Sequence, residues 1–63
     1  MKLFQEMKAL PQNQKLYVYI KNYLISFGAL DETYSQLKPY EYKDIKRITF
    51  KKDYIIIDLW KNL

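Results

Sequence analysis

The chain has no cysteine, no histidine, a single glycine, two prolines and a single arginine among its 63 residues. Each scarcity removes a class of explanation. Without Cys there is no disulfide framework, and without Cys or His the usual ligands of zinc and haem are missing, so neither a metal nor a cofactor is expected. Triads built on histidine are excluded for the same reason, and Ser26, Thr33, Ser35 and Thr49 stand without a base in sequence context. The lone Gly28 rules out a glycine-rich phosphate loop. Two carboxylate pairs remain, Asp31 with Glu32 and Asp53 with Asp58. A helix cap, a turn and a cross-strand ion pair account for them more simply, so the chain reads as no enzyme and is expected to take no small-molecule substrate.

Long apolar runs are also missing. No window approaches the roughly 20 apolar residues of a membrane span. The start, Met1-Lys2-Leu3-Phe4, is followed too soon by Gln5 and Glu6 to read as a signal peptide. A soluble cytoplasmic protein with no membrane partner is the expectation.

Aromatic residues are plentiful: seven Tyr, three Phe and one Trp. A single domain spanning 1–63 buries only about 60% of the surface its unfolded chain exposes. With disulfides and metals excluded, an aromatic core or oligomerisation is left to stabilise it. Eleven Lys and Arg against seven Asp and Glu give a net charge of +4, which excludes imitation of DNA by an acidic surface. Ten of the eleven are Lys, a thin supply of the bidentate side chain that reads guanine and phosphate.

Leu3, Phe4, Met7 and Leu10 share one helical face, and Pro11 closes that short helix. From Asn13 to Phe27 no breaker intervenes, and Leu16, Ile20, Tyr23, Leu24 and Phe27 recur at helical spacing before Gly28, a suitable C-cap. The competing reading is a strand, because Leu16, Val18 and Ile20 alternate in a β-branched and aromatic stretch. Fifteen residues without a turn signal is ordinary for a helix and long for a strand, so the helix is preferred. Asp31 suits the N-cap of a short helix through Leu37, which Pro39 stops. Residues Tyr40 to Lys43 read as a loop or a short third strand. Ile45 to Phe50 and Tyr54 to Trp60 read as a hairpin about Lys52-Asp53, in a register that sets Phe50 against Ile55, Ile48 against Ile57 and Arg47 against Asp58.

The expected fold class is therefore α+β: one main helix, with short flanking helical segments, packed on a C-terminal antiparallel β-hairpin of two or three strands. Its core would join Ile48, Phe50, Ile55, Ile57 and Leu59 to Leu16, Ile20, Leu24 and Phe27.

Two apolar surpluses point to contact. The last strand is apolar on both faces, which leaves Tyr54, Ile56 and Trp60 outside, and on the expected helix Val18 and Ile25 fall opposite the core stripe. These five are the candidate protein-contact residues, with Tyr40 and Tyr42 as candidate exposed aromatics. The preferred function is a small non-enzymatic binding protein whose partner is another protein or a second copy of itself. Its size and composition suit an accessory or inhibitory factor of a phage or mobile element. The alternative partner is nucleic acid, held by Lys46, Arg47, Lys51 and Lys52 beside Tyr54 and Trp60. The simpler account of those cations is a solvated ribbon guarded against aggregation.

Overall fold

The computed structural model describes residues 1–61. In chain order the elements are α1 (Leu3–Ala9), β1 (Lys15–Ile20), β2 (Tyr23–Ala29), α2 (Leu30–Leu37), a 3-10 turn (Lys38–Tyr40), β3 (Ile45–Phe50) and β4 (Ile55–Leu59). The strands form one mixed sheet in the order β2-β1-β4-β3, with β1 antiparallel to β2 but parallel to β4, and β3 antiparallel to β4. The class is α+β, but the expected main helix is absent and the sheet is not a C-terminal hairpin. Half of its strands come from the segment read as helical.

That segment is a β-hairpin because its alternation is satisfied on a two-sided surface. Leu16 and Val18 are fully buried, while Tyr17 and Tyr19 point to the other face. Lys21 and Asn22 turn the chain with φ values of 50° and 70°, between the paired residues Ile20 and Tyr23. Two consecutive left-handed residues are what a two-residue hairpin loop of the primed type requires. Leu24 and Phe27, assigned to the helical core stripe, are exposed instead.

The β3–β4 pairing keeps the expected register: Phe50 opposite Ile55, Ile48 opposite Ile57, Arg47 opposite Asp58. Lys51 donates its N–H to the Tyr54 carbonyl at 2.9 Å, closing the turn over Lys52 and Asp53. Phe50, expected in the core, is 69% exposed, since it ends an edge strand. Residues 40–43 supply no third strand; the carbonyls of Glu41 and Lys43 accept from the N–H groups of Phe4 and Leu3, and an isolated bridge joins Lys2 to Asp44 just beyond them.

Both helices lie on the face that carries Leu16, Val18, Ile55, Ile57 and Leu59. Leu3 and Met7 of α1 and Leu30 and Leu37 of α2 complete this buried cluster. Each such side chain stabilises the fold by about 1.5–3 kcal/mol through loss of water contact. The helix α1 ends at Ala9, and the extended backbone of its C-cap Leu10 suits a residue before proline. Asp31 does not cap α2. Ala29 holds that position, and Asp31 lies in the first turn, where its negative charge complements the positive end of the helix dipole. The free N–H groups of Leu30 and Asp31 are satisfied by the carbonyls of Gln14 and Gln12, each at 2.9 Å. Among the described residues no helix is long and apolar enough to cross a membrane.

Candidate functional site: the uncovered sheet face

With both helices on one side, the other side of the sheet is left without cover. The register sets Phe27, Tyr17, Ile56 and Thr49 in one row across the four strands, and Leu24, Tyr19, Asp58 and Arg47 in the next. Tyr54 and Trp60 extend the same face at the two ends of β4 by strict alternation. Phe27 is 62% exposed and Trp60 54%.

The rings are organised. Tyr17 stacks on Phe27 with centroids 6.0 Å apart and meets Tyr54 edge to face at 5.0 Å. Such pairs hold one another in place, at roughly 0.5–1.5 kcal/mol each beyond area burial. At the opposite end the Lys46 ammonium lies 5.0 Å from the Trp60 ring centroid. Arg47 Nε donates to Asp58 Oδ2 at 3.3 Å across the β3–β4 ladder.

Charge is divided between the two layers. The strands, their hairpin turns and the residue pair after β4 carry seven of the eleven cations, from Lys15 to Lys61, and only Asp53 and Asp58 among the seven acids. The sheet therefore has a net charge of +5, and the helices with their loops a net charge of −1. One end of the face is a cleft of about 250 Å³ lined by Lys21, Lys46, Arg47, Lys61 and Trp60, with Asp58 its one acid. A second hollow, of about 400 Å³ between α1 and α2, brings Met7, Leu10, Leu30 and Tyr34 beside Lys8 and Asp31. Among the described residues no three Asp or Glu side chains gather in a metal-binding group.

Of the contact candidates, Tyr54, Ile56 and Trp60 are on the open face. Val18 is not available for contact: it is fully buried, because a strand turns it inward with Leu16. Ile25 is half-buried against the same core. Lys46 and Arg47 flank Trp60 at one end, and Lys51 and Lys52 occupy the turn beside Tyr54 at the other, so the four cations bracket the face rather than forming one patch. Tyr40 is half-buried against the core; Tyr42 is exposed on the helical side, 5.5 Å from the Phe4 ring. Sequence reasoning missed Tyr17, Tyr19, Leu24 and Phe27. The signal for the first two was the alternation of Lys15, Tyr17 and Tyr19 against Leu16 and Val18.

Compared with protein-family models, with curated proteins and with solved structures, the chain has no significant match in any of the three.

Proposed function

We propose that this chain is a small non-enzymatic binding module that takes single-stranded nucleic acid on its uncovered sheet face. The observation that supports this is the coincidence, on one layer, of ordered aromatic rings with all the excess positive charge. Stacking of a base on an aromatic ring contributes about 1–3 kcal/mol, and flanking cations neutralise the phosphates. A single strand suits the face better than a duplex, since stacked base pairs hide the surfaces that a ring would meet. The one Arg is already held by Asp58, so discrimination among bases should be weak.

Fluorescence anisotropy with labelled single-stranded RNA and DNA of mixed sequence, and with duplexes, tests this reading. If four cations take phosphates, affinity for a single strand falls about 50-fold between 50 and 200 mM salt. Binding to Trp60 should also quench its emission. Failure to bind at the lower salt, or affinity indifferent to salt, would remove nucleic acid as the ligand.

A protein partner is the second reading. It is favoured by Ile56 and Leu24, aliphatic residues on the face that contribute nothing to stacking or to charge. The mechanism would then be steric, the partner's own surface being masked. In that case Ile56→Lys with Trp60→Ser abolishes a salt-indifferent association while circular dichroism stays unchanged. An association that survives the double substitution counts against it.

A further inference from the structure

The sheet has two edges, and they are treated differently. Along β3 the N-terminus covers the beginning: Ile45 donates its N–H to the Met1 carbonyl at 2.8 Å, and Lys2 pairs with Asp44 at 3.1 Å. Beyond it come a bulge and the charged pair Lys46 and Arg47. Cover, bulges and charge are the usual means of keeping an edge from pairing. The seven residues of β2 hold no charged side chain and no proline, and apart from the Ala29 carbonyl, which accepts from the Thr33 hydroxyl at 3.0 Å where α2 begins, among the described residues its backbone bonds to β1 alone. What irregularity it has lies opposite Val18 and Tyr19 and at Gly28, where φ is 126°. Tyr23, Leu24 and Phe27 stand exposed along it.

We infer that β2 pairs antiparallel with β2 of a second copy, joining two sheets into one. An antiparallel pair about a two-fold axis sets a strand against itself, so any charge on it meets its own like. β2 is free of that penalty. The ends of the strand supply the complement. Lys21, exposed in the turn, immediately precedes β2, and the exposed first turn of α2, with Asp31 and Glu32, immediately follows it. Full overlap of the two strands carries each Lys21 toward Asp31 and Glu32 of the partner subunit. The joined sheet places both uncovered faces on the same side, doubling the surface proposed above; the pairing itself does not depend on that ligand.

Sedimentation equilibrium of the full chain without nucleic acid tests this. The mass should rise with concentration from that of one copy, 7.8 kDa, to twice that value. Leu24→Lys with Phe27→Lys, shown to be folded by circular dichroism, should hold the chain at one copy. Lys21→Glu should weaken the dimer about 2–10-fold, the scale of two exposed ion pairs, and Asp31→Lys added to it should restore affinity. A single-copy mass up to millimolar concentration overturns the inference. So does a dimer that Ile56→Lys disrupts while the Leu24 and Phe27 substitutions leave it intact, since that outcome assigns association to the face.

Discussion

Val18 lies in register beside Ile57 on strands that run the same way, and neither side chain touches solvent. This pair sits at the middle of the sheet, with helices over it. Ile57→Ala should therefore cost about 2–5 kcal/mol, the range for a large buried aliphatic side chain. Phe50→Ser, on the exposed end of an edge strand, should stay within about 0.5 kcal/mol of the parent. Urea titrations of the two variants measure both values; equal effects would contradict the placement of the core.

The Lys21-Asn22 turn is stabilised less than it could be. A lysine at φ 50° accepts the left-handed region at a cost that asparagine or glycine largely avoids. Lys21→Asn should gain about 0.5–1 kcal/mol, which for a domain of this size raises the melting temperature by several degrees. A lower melting temperature would mean that Lys21 makes a contact outweighing its backbone strain.

Gly28 has φ 126°, and a Cβ built there would stand 3.3 Å from Thr33 Cγ2. Gly28→Ala should lose about 1–3 kcal/mol. Adding Thr33→Ser removes the crowding methyl and leaves the dihedral strain, so the double variant should regain only part of the loss. Full recovery in denaturant titrations would show crowding, not backbone conformation, to be the cause.

Asp58 is the one carboxylate in the outer rows of the open face, and it occupies Arg47. Asp58→Asn should tighten binding of a single-stranded oligonucleotide several-fold and steepen the slope of log affinity against log salt by about 0.7, one further phosphate contact. Stability should change by under about 1 kcal/mol, because Arg47 is largely exposed. An unchanged slope would show that Arg47 does not meet a phosphate even when released.

The pairing and register of the last two strands were legible in the sequence, and the first half of the chain only in part. Arg47, Ile48 and Phe50 found their partners because apolar and charged positions matched in one register alone. Leu3, Met7 and Pro11 likewise marked α1. Between Asn13 and Phe27 the residues satisfied two periods at once, and length decided in favour of the wrong one. A turn at Lys21-Asn22 carries no glycine; its one mark in the sequence is Asn22, which accepts the left-handed region, and alone it did not outweigh the helical spacing. That one misreading displaced Val18 from the core to the surface and Phe27 from the surface to the core. The double-sided apolarity of β4 pointed to a second face outside the core, but the strand beside it was unseen, and with it Tyr17 and Tyr19.

The parallel ladder between β1 and β4 also governs the order in which this chain can fold. Each hairpin closes through local contacts, yet an isolated two-stranded ribbon is marginal in water. Leu16 with Ile55 and Val18 with Ile57 come together only after the long intervening segment has been drawn in, and loop-closure entropy must be met before their burial repays it. The rate-limiting event is expected to be the docking of two preformed ribbons, so substitutions along that seam should slow folding, whereas changes at the Thr33 end of α2 should mainly speed unfolding. Stopped-flow kinetics on the two sets of variants distinguish this order from one in which a hairpin alone sets the pace.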